Sequence, residues 1–215
     1  MTDYKRVRRV TKRKPNPDIY EVKCECLAEF EALCEQGLID LYYGDESGVS
    51  LLPNVPYAWQ FRDEVVSLPS ERGGHLNCFA LLARDNRCFT ATTEGRVTGD
   101  WIAEQVAAFL GTLHLHRLTV VVFDNASVHL KAAKDHAEEW EEKGLFVWFL
   151  PTYSPHLNIA EILWKKLKYG WLQATDYQDK ETLHTAVRSR LDQVGKELKI
   201  AFKPFRDPSK KTNTI

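Results

Sequence analysis

Short apolar runs bounded by turn residues recur along the chain and predict a set of strands. The clearest, 118–123 and 145–150, are rich in Val, Phe and Trp and indicate buried strands. A strongly apolar run at 75–84 precedes an Asp-Asn turn and a second run, as expected of a hairpin. The predicted strands cover residues 39–45, 75–84, 87–93, 118–123 and 145–150, with a further candidate at 55–62.

Around these runs, apolar residues recur at helical spacing and predict helices. Thr98 or Asp100 can cap the second helix, because both side chains accept hydrogen bonds from free backbone N–H groups. Glycine, which is favoured just after a helix, follows or ends four of them at Gly37, Gly111, Gly144 and Gly170. The predicted helices cover about residues 18–37, 98–111, 127–143, 157–170 and 179–200.

The order of elements after the first helix is β-β-β-α-β-α-β-α, which predicts an α/β fold. Antiparallel strands followed by right-handed crossovers give a mixed five-stranded sheet flanked by helices on both faces. We expect residues 38–200 to form the main domain. A basic, proline-containing arm at 1–17 and a connector helix at 18–37, or a helix packed on the domain edge, would precede it. A basic tail at 201–215 would follow it.

The charge of the chain changes this picture only at its ends. Net charge is −1 over 215 residues, so no overall basic field indicates nucleic-acid binding. Residues 5–14, however, contain several basic side chains and no acid. Such a cluster can neutralise phosphates, and a solvated arm without a binding role is an equally good interpretation. The candidate DNA-binding residues of the arm are Arg6, Arg8, Arg9, Lys12 and Arg13.

Cysteine content and hydropathy indicate the compartment. Five cysteines without a Cys-x-x-Cys pair favour a reducing compartment over a disulfide framework. A zinc site from Cys24, Cys26, Cys34 and a histidine is disfavoured by the spacing. The sequence has neither an apolar run of about 18 residues nor a signal peptide. We therefore expect a cytoplasmic protein without a membrane partner.

Three acidic residues stand where the predicted elements would bring them together. Asp45 and Asp124 end strand-like runs, and Glu161 lies on the helix after 145–150. Functional residues of α/β sheets gather at the carboxyl ends of parallel strands, and neighbouring strands are about 4.8 Å apart. Asp45 and Asp124 can therefore share a cation if their strands are neighbours.

Three carboxylates on one sheet suit a pair of Mg²⁺ ions that act on a phosphodiester. Without metal the acids would repel one another, so at least one should have a raised pKa. Taken singly, each acid has a simpler explanation. The aspartates could be turn or helix-capping residues, and Glu161 could be an ordinary acid in the first turn of a helix.

Three sequence motifs add a family resemblance. They are YGDESG at 43–48, DNASVH at 124–129 and LPTYSPHLNIAEILWKKLK at 150–168. Together they closely resemble the DDE transposases of the mariner-like superfamily, in the bacterial insertion-sequence branch. The Tyr-Ser-Pro-x-Leu-Asn-x-x-Glu-x-x-Trp motif is highly specific, and the 36 residues between Asp124 and Glu161 are close to the usual spacing. The resemblance covers roughly residues 20–190.

This resemblance implies a ribonuclease-H-like fold in which Asp45, Asp124 and Glu161 are the catalytic residues and the ligands of Mg²⁺ or Mn²⁺. It implies cleavage at transposon ends and joining of the freed 3′-hydroxyl to target DNA. The partners would be double-stranded DNA, as terminal repeats and target, and a second copy of the chain in a synaptic homodimer. The location would be the bacterial cytoplasm, in association with the nucleoid.

In that family pattern Asn125 and His129 flank the site. Asn125 could hold a ligand carboxylate or a water molecule. His129 could contact the scissile phosphate or be a packed first-turn histidine, and both interpretations remain open. We expect Asn158 to cap the helix that carries Glu161 and so to fix the position of that acid.

Other residues near the motifs have structural interpretations. Successive strand residues point to opposite faces, so Glu46 should not join Asp45 at a metal unless the strand has already ended. Trp164 and Trp171 keep helical spacing with leucines and are expected in the core rather than stacked on bases. Lys165 and Lys168 are candidate phosphate contacts, although a solvated face explains them equally well.

One feature departs from the family pattern. About 38 residues precede the first strand and hold one predicted helix, which is too short for a helix-turn-helix module. We therefore expect a separate helix-turn-helix protein to supply DNA recognition, or a truncated remnant. Two alternative functions stay open: a nuclease of the same fold without strand transfer, and a DNA-binding or interaction remnant of a decayed element without catalysis.

Overall fold

The computed structural model describes residues 16–53, 62–63, 70–113 and 117–205. The candidate strand at 55–62 lies outside these ranges, apart from Arg62, which is in a turn. Residues 1–15, with all five candidate DNA-binding side chains of the arm, and residues 206–215 of the tail also lie outside them.

The helices and strands follow the predicted order. In chain order they are α1 Pro17–Glu35, β1 Ile39–Val49, β2 Leu76–Leu82, β3 Cys88–Thr93, α2 Gly99–Thr112, β4 Leu118–Phe123, α3 Ser127–Glu142, β5 Leu145–Phe149, α4 Ala160–Lys166 and α5 Lys180–Asp192. Short 3-10 turns lie at Pro155–Leu157 and Ala174–Tyr177, and a π turn lies at Leu167–Trp171.

Within the described ranges, five strands form one mixed sheet in the order β3-β2-β1-β4-β5. β1, β2 and β3 pair antiparallel, whereas β4 runs parallel to β1 and β5 parallel to β4. One apolar core fills the face covered by α1, α4 and α5, and a second fills the face covered by α2 and α3. The predicted α/β sheet with helices on both faces is confirmed.

The first strand is longer than predicted. The sequence placed its end at Asp45, but β1 continues to Val49. Its antiparallel pairing with β2 extends to the pair Val49–Leu76, whereas its parallel pairing with β4 stops at Tyr43–Val122. The hydrogen bonds of β2 therefore keep the backbone extended after β4 has ended, and Asp45 lies beyond the parallel part of the sheet.

Three predicted helix ends were also wrong. α2 continues through Gly111 to Thr112, because Gly111 does not adopt the left-handed conformation that ends a helix. The helix predicted over 157–170 is interrupted by the extended backbone of Asn158 and continues beyond α4 as the π turn. The last helix ends at Asp192 rather than near residue 200, and Gly195 turns the chain with φ of 82°.

The first helix belongs to the core as well as preceding it. Cys24 and Leu27 are fully buried on the face of β1, and Glu31 accepts a hydrogen bond from the Tyr43 hydroxyl. The Lys23 ammonium donates to the Phe149 carbonyl at the end of β5. α1 therefore packs on the domain edge and braces the strand that leads to α4.

Within the described ranges, none of the helices combines the length and hydrophobicity that a membrane span requires.

Candidate active site

Asp45 and Asp124 lie at the same level of the sheet on neighbouring strands. The last parallel pair is Tyr43–Val122, and each aspartate comes two residues after its member of that pair. Because parallel strands are about 4.8 Å apart and side chains alternate faces, both acids are directed to one corner of the sheet. The condition that the two strands be neighbours is met, because β1 lies next to β4 in the sheet.

Gly44 leaves room for the ring of Phe123, on which His129 stacks. A β-carbon at Gly44 would lie 2.2 Å from Cε1 of the Phe123 ring and 2.9 Å from Cδ2 of Leu81. Real β-carbons do not approach other atoms so closely, so a side chain here would displace the Phe123 ring or the Leu81 side chain. The glycine before Asp45 therefore allows the Phe123 ring to pack across β1 beside the site.

Asp45 is held in an environment that opposes its ionisation. Its Oδ2 accepts a hydrogen bond from Nε1 of Trp164 at 3.0 Å. Burial, followed by repulsion from Glu161, Glu46 and Asp124, raises the pKa of Asp45 to about 7. The sequence predicted a raised pKa for at least one acid through mutual repulsion. The pKa of Asp45 is raised, but burial contributes more to the rise than repulsion does.

Glu161 lies in the first turn of α4 with its side chain exposed to solvent. Neighbouring protein atoms still desolvate it enough to raise its pKa, an effect that Lys168 opposes and Asp124 increases. These charge effects place Glu161 within electrostatic reach of Lys168, Asp124 and Asp45.

Two side chains attach α4 to β1 on either side of Glu161. Asn158 donates from Nδ2 to the Gly44 carbonyl at 2.9 Å and accepts the Ala160 N–H at 3.0 Å. Trp164, one turn after Glu161, reaches Asp45 as described above. The predicted cap is thus present one residue early, because Ile159 occupies the N-cap position. The bond to Gly44 and the bond from Trp164 were not predicted.

Asp124 is ionised by its environment. Its Oδ1 accepts hydrogen bonds from Nδ1 of His129 at 2.7 Å and from the Ala126 N–H at 3.0 Å. The hydrogen bond from His129 lowers the pKa of Asp124, and its effect exceeds that of partial burial, which acts in the opposite direction. The side chain keeps about half of its surface exposed, at 47%.

His129 lies between two carboxylates. It is fully buried and stacked on Phe123, with ring centroids 4.4 Å apart. Its Nε2 is 2.8 Å from Oε2 of Glu46, an ion pair by distance whose angles are not those of a hydrogen bond. Burial alone would lower the pKa of His129, but Asp124 and Glu46 outweigh it and raise this pKa to about 9. The imidazolium therefore donates to Asp124.

The contact between His129 and Glu46 decides between the interpretations predicted for these two residues. Of the two interpretations of His129, the structure matches the packed histidine, because a side chain with no exposed surface cannot face a DNA phosphate. Glu46 points to the α3 face, opposite to Asp45, as strand alternation predicted. Glu46 becomes part of the site through His129, a role that was not predicted.

The remaining candidate residues are structural or peripheral. Asn125 donates from Nδ2 to the Leu150 carbonyl at 2.7 Å and so joins the turn after β4 to the end of β5. Trp171 is partly buried against the core. Lys165 is exposed and Lys168 is half-buried beside Glu161, which leaves both ammonium groups available to a phosphate.

The donor chemistry of the three acids fits Mg²⁺ or Mn²⁺, which prefer carboxylate oxygens. Burial contributes most to the raised pKa of Asp45, and the repulsion from neighbouring acids that adds to it is what a cation at this position would relieve. Within the described ranges, no three Asp, Glu, His or Cys side chains already stand together as a complete metal-binding set, including Cys24, Cys26 and Cys34. One oxygen of Asp45 and one of Asp124 are bonded to protein donors.

Comparison with models of protein families identifies the family of this chain. The model of the DDE superfamily endonucleases matches residues 40–184, which include all three acids. The chain belongs to the DDE superfamily of endonucleases. A comparison with curated protein sequences finds no match.

Solved structures of DDE transposases share the fold. The Mos1 transposase paired-end complex with left transposon end aligns with a TM-score of 0.57 at 14% identity, over 90% of this chain and 65% of that chain. The Mos1 mariner paired end complex with Mn aligns with a TM-score of 0.54 at 15% identity, over 90% of this chain and 66% of that chain. The mariner Mos1 paired end complex with Mg aligns with a TM-score of 0.51 at 16% identity, over the same shares of the two chains. This DDE endonuclease therefore has a ribonuclease-H-like fold and spans slightly less than two thirds of those Mos1 chains.

Proposed function

We propose that this DDE endonuclease is the catalytic domain of an insertion-sequence transposase. It cleaves DNA at the ends of its element in a reaction that requires Mg²⁺ or Mn²⁺, and it joins the freed 3′-hydroxyl to target DNA. The observation that carries the proposal is the placement of Asp45 and Asp124 at the same level of neighbouring strands, with Glu161 close enough to add to the rise in the pKa of Asp45 that burial begins.

Asp45, Asp124 and Glu161 would hold two divalent ions. Bound there, the ions lower the pKa of a water or a 3′-hydroxyl and stabilise the leaving oxygen. The protein supplies the geometry, since Trp164 fixes one oxygen of Asp45 and His129 fixes one oxygen of Asp124. Asn158 holds the start of α4 against β1, so the acid of α4 stays beside the acids of the sheet.

DNA is the proposed partner. The aligned Mos1 structures are complexes with transposon ends, and one is a strand transfer complex, which supports terminal repeats and target DNA as ligands. Contacts to phosphates would come from Lys165, Lys168 and the basic arm at 5–14. We further propose a homodimer that brings two ends together, a separate helix-turn-helix protein for end recognition, and a location on the bacterial nucleoid.

A cleavage assay tests this proposal. Purified protein is mixed with labelled duplexes that carry the ends of the element, in Mg²⁺, Mn²⁺ or EDTA, beside the Asp124→Asn variant. We expect metal-dependent nicking that the variant lacks, and joined products when target DNA is added. Nicking without joined products would favour a nuclease without strand transfer.

Addition of any helix-turn-helix protein encoded next to the gene separates the remaining outcomes. If cutting requires that protein, the DNA reader is a separate chain. If the wild-type chain binds DNA but never cuts it, with or without that protein, the catalytic proposal is wrong and a non-catalytic remnant is favoured.

A further inference from the structure

A cleft of about 410 Å³ opens beside Asp124. One wall is the turn between β4 and α3, and the other is the segment 150–155 that leads from β5 towards α4. The walls are joined by two hydrogen bonds, from the Leu150 N–H to the Phe123 carbonyl at 2.8 Å and from Asn125 to the Leu150 carbonyl at 2.7 Å. The relative position of the two walls is therefore set by hydrogen bonds of the fold.

Tyr153 borders this cleft in a strained conformation. Its φ is 60°, in the left-handed region that side chains with a β-carbon seldom adopt. Glycine or asparagine would occupy this position with less strain, yet the chain carries a large aromatic ring that is 44% exposed. Strain of this kind concentrates at ligand-binding sites, where the bound state uses the side chain that is held in place.

The lining of the cleft favours a flat neutral ligand over a phosphate. The lining includes Asp124, Thr152, Tyr153 and Ser154 and no basic side chain. Without a bound cation, Asp124 would repel a phosphate. A nucleobase, in contrast, can stack on an aromatic ring and bond to hydroxyl and backbone groups. The volume lies within the range of about 300–1,000 Å³ usual for small-ligand pockets.

We propose that this cleft binds an unpaired nucleobase next to the phosphodiester that is cut, with Tyr153 stacking on it. The inference rests on the proposed function, since Asp124 lines the cleft and would also act at the scissile phosphate. A base one nucleotide away from that phosphate is then the part of the substrate that reaches Tyr153. Stacking does not depend on base identity, so the site would position the strand without reading its sequence.

The test uses two substitutions at Tyr153 and one matched control. Tyr153→Asn removes the ring and suits the left-handed backbone, whereas Tyr153→Phe keeps the ring. Phe146→Leu is the control, because Phe146 is a similarly exposed aromatic at 39% and lies near the start of β5, away from the cleft. Melting temperatures show that each variant folds, and Tyr153→Gly replaces Tyr153→Asn if the latter does not.

Binding is measured without cleavage. The fluorescent base 2-aminopurine is placed at each position next to the cleavage site, in an unpaired stretch where it is bright before binding, and its quenching is followed in EDTA. We expect quenching at one position with wild type, Tyr153→Phe and Phe146→Leu, and none with Tyr153→Asn. In metal, Tyr153→Asn should cleave roughly tenfold more slowly, the loss of about one stacking contact. Tyr153→Phe should lose less than Tyr153→Asn, and Phe146→Leu should cleave at the wild-type rate.

The outcomes keep the two proposals apart. Wild-type cleavage without quenching at any position, or quenching that Tyr153→Asn retains, would overturn the base-binding cleft and leave the nuclease function intact. Quenching that depends on Tyr153 in a protein that never cleaves would support the cleft and count against the proposed catalysis.

Discussion

Asp45 and Asp124 occupy equivalent positions in the sheet, yet their surroundings give the two carboxyl groups opposite electrostatic properties. Each lies two residues beyond the last parallel pair. Asp45 is more deeply buried, receives the neutral N–H of Trp164 and has three carboxylates nearby, so its pKa rises to about 7. Asp124 receives a hydrogen bond from the cationic ring of His129, so its pKa falls.

The difference shows that the position of each acid and its charge state are determined by different features of the structure. The register of the strands decides that the acids meet, and the side chains around them decide which acid is charged before a metal arrives. Asp124 is ready to bind a cation across neutral pH. Asp45 holds its proton up to about pH 7 until a cation offsets the neighbouring charges.

Replacing either aspartate should have the largest effect on cleavage. Asp45→Asn and Asp124→Asn should each lower cleavage by roughly a thousandfold or more, the usual consequence of removing a member of a catalytic set. Single-turnover nicking of end DNA in Mn²⁺ measures this loss. If one variant kept the wild-type rate, that aspartate would not belong to the site.

The same two variants should move stability in opposite directions. The carboxyl of Asp45 ionises near 3.8 in the unfolded chain and near 7 when folded, so wild-type stability falls as pH rises through that window. Asparagine does not titrate, and Asp45→Asn should raise the free energy of unfolding at pH 8 by on the order of 2 kcal/mol. At pH 4 it should not.

For Asp124 the sign is reversed. Its folded pKa is lowered, so it adds stability above its unfolded pKa and loses it as pH falls. Asp124→Asn should therefore lower the free energy of unfolding at pH 8, by about 1 kcal/mol for a weakened hydrogen bond to a charged group. Urea titrations in EDTA at the two pH values measure both variants, and shifts of the same sign at pH 8 would contradict the comparison.

Replacing His129, the cationic partner of Asp124, should reduce activity less than replacing either aspartate. His129→Phe keeps a ring to stack on Phe123 but leaves Asp124 and Glu46 without their partner. We expect cleavage to fall ten- to a hundredfold, as for other groups that orient a metal ligand. His136→Phe, on the same helix with its side chain 39% exposed, is the control and should cleave normally. Equal rates for the two variants would remove His129 from the account.

Replacing Trp164, which donates a hydrogen bond to Asp45, should have the smallest effect on cleavage. Trp164→Phe keeps the buried ring but removes the N–H that holds Oδ2 of Asp45, and cleavage should fall about tenfold. Trp171→Phe, in the same core but without a hydrogen bond to an acid among the described residues, should have little effect. A higher Mg²⁺ requirement in Trp164→Phe alone would show that the bond orients Asp45.

Local patterns in the sequence were sufficient for the order of the five strands and for most helices. The three acids were singled out by their joint placement at predicted elements together with the family motifs. The contacts that give the acids their properties join distant parts of the chain, and no local pattern encodes them. Trp164 was predicted in the core, and it is buried at 3% exposure, but its bond to Asp45 spans 119 residues.

The extent of β1 could not be predicted for a similar reason. Residues 39–45 form an apolar run, whereas 46–49 contain Glu, Ser and Gly and indicate a turn. Pairing with β2 overrides that local preference. As a result Glu46 lies in a strand, points to the α3 face and reaches His129, a role that depends on the neighbouring strand.

The central claim, that two equivalent aspartates carry opposite pKa shifts, is tested most directly by NMR. Selectively ¹³C-labelled aspartate carboxyls are titrated in the metal-free protein and assigned with the two Asn variants. We predict that Asp45 titrates near 7 and Asp124 below its ordinary value of 3.8, and that Mg²⁺ lowers the pKa of Asp45. Two aspartates that both titrate near 3.8, with no response to Mg²⁺, would contradict the account.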